Sequence, residues 1–403
     1  MDVLALLAEE IEEVRAQGRY RTYLDLERDA ELAPRARLHA PEGVREISVW
    51  CSNDYLALSH HPAVIEAVAD TVRAVGLGTG GARSISGTSV HHRWLEAELA
   101  DWYGKEAALL FSTGFTANDA TLSALGQRIP GLVVFSDELN HASIIQGVRH
   151  SRAAKRIFRH NDTAHLRQLL AETDPDAPKL VVFESLYSME GDFAPLAEIV
   201  EIAEEAGALT YLDEVHAVGI YGEQASGRAE ELGLRERITV IQGGFGKGLG
   251  GAGGYIAAPR AVVDLVRSFA VPFVFSTSAP AALVAGALAG VRRVREDDRE
   301  RRLLAERCAE LKAALADRRI PVVSRDSHIV PVLVGDPHRN KRLSALLLEE
   351  HDIYVQPVNA PTVPAGTERL RVTPTSRHTA KDVETFVEAL DTSWTALGLP
   401  REG

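Results

Sequence analysis

Between residues 105 and 260, short apolar runs alternate with stretches whose apolar positions recur every three or four residues. The runs are AALLFS (107–112), LVVFSD (132–137), KRIFRH (155–160), LVVFES (180–185), LTYLDE (209–214), ITVIQG (238–243) and GGYIAA (253–258). Their length and their β-branched and aromatic content predict strands. Between them, HASIIQGVRHS, TAHLRQLLAET and LAEIVEIAEEAG carry the helical period. Strands alternating with helices need crossover connections, so the pattern predicts an α/β fold with a mainly parallel, doubly wound, seven-stranded sheet. Ligands of such sheets collect beyond the carboxyl ends of the strands, where Ser136, Asp137, Glu184 and Asp213 fall.

The flanking regions read differently. The first eighteen residues form an amphipathic helix pattern, and a long helical region follows Pro280 through RRVREDDRERRLLAERCAELKAALA, its charges marking a solvated face. Then come SHIVPVLVG, the helical RNKRLSALLLEEHD, IYVQPV, ERLRVTP and a last helix from about residue 379. That order predicts a smaller C-terminal α+β domain. The expected division is an N-terminal helix and arm (1–50), a large domain (51–290) and the C-terminal domain (291–403).

Composition narrows the classes. The chain has 403 residues, 45% hydrophobic and 25% charged, as in ordinary globular proteins. Its 44 Lys+Arg against 57 Asp+Glu give a net charge of −13, which argues against non-specific nucleic-acid binding. Cys51 and Cys308 cannot make a disulfide framework, and the N-terminus carries acids where a targeting signal needs bases; both point to the cytoplasm. The longest apolar stretch, APAALVAGALAG (279–290), is shorter than the ~20 residues that span a bilayer. No metal is expected.

The most unusual segment is GGFGKGLGGAGG (243–254), with eight glycines around Lys247. Such a loop lets backbone approach a ligand closely, and its lysine can bind phosphate, act as an amine nucleophile or stand in solvent. The phosphate-loop pattern fails, because Gly248 follows the lysine; GKGLGG does fit a dinucleotide fingerprint, as does the unrelated stretch at 76–81. Asp213, at a strand end, suits either a helix cap or an ion pair with a protonated heterocyclic nitrogen, which is what makes a pyridoxal ring an electron sink. His216 follows three residues later as a structural or a catalytic group. SDELNHAS (136–143) and FSTGFTAND (111–119) each place small polar residues between a strand and a helix start, a geometry that suits anions. In TERLRVTP, Arg369 and Arg371 share a strand face, fit either for surface salt bridges or for clamping a carboxylate; Arg19 and Arg21 in GRYR offer the same choice.

Taken together, these motifs resemble the α-oxoamine synthase family of fold-type-I pyridoxal-phosphate enzymes. The resemblance covers nearly the whole chain and rests on GRYRTYLDLER, VWCSNDYLALS, SISGTSVHHRWLEAELADWYGKEAALLFSTGF, FSDELNHASIIQGVRHS, FESLYSMEGDFAPL, TYLDEVHAVGIYG, FVFSTSAPAALVAGAL, SHIVPVLVGDP and IYVQPVNAPTVPAGTERLRVTPT. It implies a homodimer with active sites shared between subunits and pyridoxal 5'-phosphate as cofactor. Lys247 would hold the cofactor's aldehyde, Asp213 its ring nitrogen, and His141 would stack on the ring. His216 and Ser188 would contact the phenolic oxygen. Ser136, Gly114 and Phe115 would hold the phosphate, with Ser276 and Thr277 reaching over from the other subunit. Arg371 would bind the amino acid's carboxylate, with Asn53 lining that pocket; Arg21 and Thr362 would read the distal carboxylate of a succinyl group. The implied reaction condenses glycine with succinyl-CoA and releases coenzyme A, carbon dioxide and 5-aminolevulinate.

The chain departs from the family pattern within two of these motifs. GGARSISGT stands where GGTRNISGT is usual, which puts Ala82 and Ser84 near the acyl pocket. GGFGKGLG stands where GTLGKAYG is usual, so Gly244 lacks a hydroxyl for the phosphate, a loss of about 1–3 kcal/mol if nothing replaces it. The resemblance therefore also admits another acyl-CoA, or a secondary-metabolism relative whose product closes to 2-amino-3-hydroxycyclopent-2-enone.

Overall fold

The seven apolar runs are strands in the computed structural model, which describes residues 2–20 and 22–402. Among the described residues the chain runs α1 (Val3–Ala16), β1 (Leu26–Glu27), β2 (Arg35–Ala40), β3 (Gly43–Val49), α2 (Pro62–Val75), α3 (Val90–Tyr103), β4 (Ala107–Phe111) and α4 (Gly114–Arg128). It continues through β5 (Val133–Asp137), α5 (Ala142–Ser151), β6 (Ala154–Phe158), α6 (Thr163–Ala171), β7 (Lys179–Glu184), α7 (Leu196–Glu205), β8 (Leu209–Asp213), α8 (Arg228–Glu231), β9 (Val240–Gly244) and β10 (Gly254–Ala258). There follow α9 (Arg260–Phe269), α10 (Val271–Val274), α11 (Ala281–Glu296), α12 (Arg299–Asp317), β11 (Val330–Leu333) and α13 (Pro337–His351). The last elements are β12 (Ile353–Tyr354), β13 (Pro357–Val358), β14 (Arg369–Val372) and α14 (Ala380–Ala396). No helix of the described residues is long and apolar enough to cross a membrane.

Two compact units divide the chain. The larger comprises Leu58–Ser188 and Asp192–Arg301. Its sheet has the order β4-β10-β9-β8-β7-β5-β6. β5 to β9 are mutually parallel along this order, and β10 runs antiparallel to both β9 and β4. Because β9 and β10 form an antiparallel pair, the glycine loop between them returns into the sheet. A dinucleotide fingerprint instead leads from strand to helix, so that reading of GKGLGG fails. One face of the sheet packs Leu109, Val182, Tyr211, Val240 and Ile256 against Ala117 and Leu125 of α4, Ile144 and Val148 of α5 and Val266 of α9. The strands at the centre are buried on both faces, which is why they read as near-continuous apolar runs.

The expected single helical region after Pro280 is two helices, α11 and α12, parted at Asp297. Asp297 is extended (ψ 137°); its Oδ1 accepts the Arg299 N–H at 2.9 Å, and Arg293 donates to its Oδ2. An aspartate that caps the following turn competes with helix continuation at that point.

The smaller unit joins the chain up to Ala57, Met189–Gly191 and everything from Arg302 onward, so the N-terminal residues are part of the C-terminal unit. β2 and β3 form a hairpin, and β12 extends it in parallel at Ile353↔Ser48. A second sheet, β11-β14-β13, packs with α12, α13 and α14 around Leu311, Val332, Leu347, Leu370 and Phe386.

Candidate active site

Three strand ends and two helix starts of the larger unit enclose a cavity of about 350 Å³. Parallel strands deliver their carboxyl ends to one edge of a sheet, so β7 brings Glu184 and β8 brings Asp213 to the same wall as direct register partners. The loop after β9 supplies Gly244, Gly246 and Lys247; α4 and α5 supply Gly114, Phe115 and His141.

Asp213 is nearly buried and fixed by two donors. Its Oδ1 accepts from Val215 N at 2.9 Å, and its Oδ2 from Asn118 Nδ2 at 2.8 Å. Asn118 lies on α4, donates a second hydrogen to Ser143 Oγ at 2.9 Å, and accepts from the Tyr211 hydroxyl at 2.8 Å. The adjacent Glu214 is engaged elsewhere: its carboxyl takes the Ser185 hydroxyl at 2.5 Å and the N–H groups of Arg228 and Ala229 at the start of α8. Burial pushes its pKa up to about 7, against those three donors.

His141 is the N-cap of α5. Its Nδ1 accepts from Ser143 N at 3.2 Å and lies 2.7 Å from Ser143 Oγ. Burial lowers its pKa, Asp213 raises it and Lys247 lowers it, with a net below the ordinary imidazole value. The ring is therefore neutral near pH 7, and with Nδ1 accepting, its proton sits on Nε2. The backbone N–H of His141 donates to Glu184 Oε1. Lys247 Nζ lies 2.7 Å from His216 Nε2. Across the cavity Thr113 caps α4, its Oγ1 accepting from Thr116 N at 2.9 Å, and this fifteen-residue helix starts at the lining residues Gly114 and Phe115, an end suited to an anion.

Glycine is required where the lysine loop meets its surroundings. A Cβ on Gly250, whose φ is +63°, would stand 2.2 Å from Ser59 N; one on Gly254 would stand 2.5 Å from Gly114 Cα, closing the approach of β10 to the anion end of α4. At Gly244 a Cβ would meet Val215 Cγ2 at 3.3 Å, so any side chain there needs Val215 to give way.

The structure brings Lys247, Asp213, His141, His216, Gly114 and Phe115 together around this cavity. Ser136 is not among the lining residues: that hydroxyl is buried, accepts from Asn140 Nδ2 at 2.8 Å and donates to the Asp137 carbonyl. Ser188 is half-buried in the turn after β7 and is not part of the lining. Ser276 and Thr277 line a separate small cleft with Arg83 and His92, where Thr277 bridges Ala82. Ser84 is exposed in the neighbouring loop. In the smaller unit Arg371 is buried, donating to Asn53 Oδ1 at 2.9 Å and to the Tyr55 hydroxyl at 3.1 Å. Arg369, expected on the same face, instead holds the Met189 carbonyl at 3.0 Å and lies 3.6 Å from Glu190. Thr362 sits in a turn closed by its N–H to the Asn359 carbonyl, and Arg21 lies outside the described residues. Sequence reasoning missed Asn118 and left Glu184 without a role; the strand-end position of Glu184 was its signal, whereas one asparagine within a helix offers none.

The residues present fit pyridoxal phosphate: an amine, an ionisable carboxylate held only by N–H donors, a neutral imidazole and a helix start for an anion line one cavity. Residues 45–390 match the family model for aminotransferase class I and II, which sets the class. A serine palmitoyltransferase from Sphingomonas wittichii superposes with a TM-score of 0.91 at 30% identity, over 99% of this chain and 100% of that one. The enzyme from S. paucimobilis with bound PLP–myriocin aldimine gives 0.91 at 29% identity, over 99% and 100%. The chain is 50% identical to the 5-aminolevulinate synthase of Rhodobacter capsulatus over 100% of its own length and 99% of that protein. It is 45% identical to the mouse erythroid-specific mitochondrial 5-aminolevulinate synthase, covering 97% of this chain and 68% of that one. It belongs to the 5-aminolevulinate synthase family.

Proposed function

We propose that this chain condenses glycine with succinyl-CoA, with loss of carbon dioxide, to give 5-aminolevulinate and coenzyme A. The observation that carries the reading is the single cavity shared by the Lys247 amine and the Asp213 carboxylate, in a chain 50% identical to a bacterial 5-aminolevulinate synthase over its full length. Pyridoxal phosphate, when bound, supplies an electron sink for negative charge at the α-carbon of glycine. Asp213, whose carboxyl oxygens take the N–H groups of Val215 and Asn118, would pair with the ring nitrogen. His141 would lie against the ring, His216, with Ser188 from the turn after β7, would serve the phenolic oxygen, and the Gly114–Phe115 N–H groups would take the phosphate. Lys247 Nζ removes the α-proton of glycine and later returns a proton.

Arg371 takes a carboxylate with a guanidinium already oriented by Asn53 and Tyr55, which lowers the entropy lost on binding. Arg21, Ser84 and Thr362 are assigned to the succinyl moiety. A homodimer is supported by exposed apolar side chains on two neighbouring segments, Leu77 and Ile85 on one, Val271 and Phe275 on the other. These segments are tied by the Ala82↔Thr277 bridge and the Ser278 N–H to Gly81 carbonyl bond, so the apolar groups form one region of the kind partners cover. Ser276 and Thr277, in that region, are assigned to the partner subunit's cofactor phosphate. Two free thiols favour a cytoplasmic setting.

Mass spectrometry of a reaction with glycine and succinyl-CoA tests the proposal, with borohydride reduction and peptide mapping of the loaded protein alongside. Linear 5-aminolevulinate and a reduced adduct on Lys247 are expected. A label on another lysine, or loaded protein that makes no aminolevulinate from these substrates, would sink it. The same spectra separate the linear product from a cyclised enone.

A further inference from the structure

The wall formed by β7 and β8 carries two carboxyl groups where one would serve. Glu184 and Asp213 are register partners on adjacent parallel strands, whose spacing is about 4.8 Å. Both are nearly buried, 3% and 5% exposed, and both line the cavity. Two like charges that close in a poorly hydrated site do not both ionise near neutral pH. The donors decide which one keeps its charge. Asp213 receives two N–H groups, from Val215 and Asn118, while Glu184 receives the His141 N–H. Lys247 is the one Lys or Arg of the cavity lining among the described residues, and it is hydrogen-bonded to His216.

We propose that Glu184 is a protonated carboxylic acid at neutral pH, which fixes the backbone of His141 and leaves Asp213 as the single negative charge on the cavity wall. It is a positioning residue, acting through His141 and through the charge it does not carry. The other titratable groups facing it are His141, Asp213, Lys247, Asp137 and Tyr187, and they do not reverse this order. Burial and then the Asp213 charge raise its pKa well above the ordinary glutamate value; the His141 N–H and Lys247 pull the other way and are outweighed, and Asp137 adds to the rise. The Tyr187 hydroxyl, which accepts the Glu184 backbone N–H at 3.3 Å, is likewise held neutral by burial. The inference rests on the cofactor reading only in its consequence, a lone carboxylate for a cationic ring nitrogen; the proton itself is a property of the protein.

Infrared difference spectroscopy of cofactor-free and of cofactor-loaded protein, wild type against Glu184→Gln, tests the proton directly. A protonated-carboxyl carbonyl band should be present in wild type and missing in the variant across about pH 6–8, a range well above the ordinary glutamate pKa. Loss of carboxylate bands instead would overturn the proposal. Because a neutral amide replaces a neutral acid, Glu184→Gln should keep cofactor affinity and kcat/KM within about threefold, whereas Glu184→Ala, which leaves the His141 N–H without its acceptor, should weaken cofactor retention about tenfold. Equal losses in both variants would remove the neutral-acid role. The band that the Glu184→Gln difference assigns, and not that of Glu214, is then titrated in wild type; its disappearance below pH 7 would overturn the proposal whatever the protein catalyses.

Discussion

The larger unit holds two pairs of acids at the ends of neighbouring elements, and they are resolved in opposite ways. Asp137, at the end of β5, and Asp192, in the turn region after β7, are bridged by His160: Nδ1 lies 3.0 Å from Asp137 Oδ1 and Nε2 lies 3.0 Å from Asp192 Oδ2. A neutral imidazole has one N–H, so engaging both carboxylates requires the imidazolium. Burial alone would lower the His160 pKa, but the two carboxylates overcome it and raise it to about 10. Asp137 also takes the N–H groups of Leu139 and Asn161, so each of its oxygens has a protein donor. At Glu184 and Asp213 no imidazolium bridges the two carboxyl groups; the wall faces a cavity in which Lys247 is the one Lys or Arg of the lining among the described residues. A carboxylate pair neutralised from within the fold is scaffold; one left facing open space awaits charge from outside. The His160 bridge also serves the open pair, because it pins the turn from Asp137 that ends at His141.

The comparison breaks first at the amine. Lys247→Ala should lower turnover at least about a thousandfold, because a positioned general base alone contributes of order 10²–10⁴. Thermal unfolding of the loaded and unloaded variant should differ little from each other, which separates lost attachment from lost folding. The same conservative change placed in each pair is the sharper test. Asp213→Asn should cost about 10²-fold in kcat/KM with a small stability change. Asp137→Asn should cost about 2–4 kcal/mol of stability with the activity of the folded fraction nearly kept, since it breaks a buried ion pair. Steady-state kinetics and denaturant titration on both variants read this crossing; parallel losses would erase the distinction between scaffold and site.

How far the sequence foretells this depends on which physical signal each part leaves. The central strands were legible because burial on both faces demands continuous apolar residues, and parallel order then places Asp213 at the ligand edge. Lys247 was legible because close backbone approach needs glycine. The β2–β3 hairpin was not singled out, although RARLHA alternates: Ala36 and Leu38 are buried while Arg35, Arg37 and His39 face outward, and those charges mask the period. The gap between α11 and α12 rests on one aspartate choosing a local cap over the helix. Ser136 shares the strand-end position of Asp213, yet its hydroxyl is consumed by Asn140; position along a strand fixes the edge, not the direction of the side chain. Asn118, which secures Asp213, leaves no periodic trace at all.

His160→Gln removes the cation and leaves one amide for two carboxylates. The loss should be about 2–3 kcal/mol, below that of a fully buried pair because the imidazole is 17% exposed. The sign with pH is fixed by a folded-state pKa of about 10 above an unfolded value of about 6.5. The stabilisation is complete below about pH 6.5 and is lost as pH rises through about 10, with a slope of at most about 1.4 kcal/mol per pH unit. Denaturant midpoints of wild type should therefore fall along this alkaline limb, and those of His160→Gln should fall less. Equal slopes would mean that His160 is neutral.

Asp192→Asn should have the smallest effect, because Asp192 is 27% exposed and the Asp137 side chain is fully buried. One carboxylate still faces the imidazolium, so the cost is about 1 kcal/mol, and the alkaline limb moves to lower pH as the His160 pKa drops toward the ordinary value. Asp192 also shapes the turn beside Ser188 through its carbonyl, which accepts the Tyr187 N–H at 3.1 Å, and this backbone bond survives the substitution. Activity near neutral pH should then match wild type while the alkaline limb shifts. A variant that loses as much stability as His160→Gln would show that both carboxylates are needed to hold the charge, and that the closed pair is a triad in which Asp137 alone does not suffice.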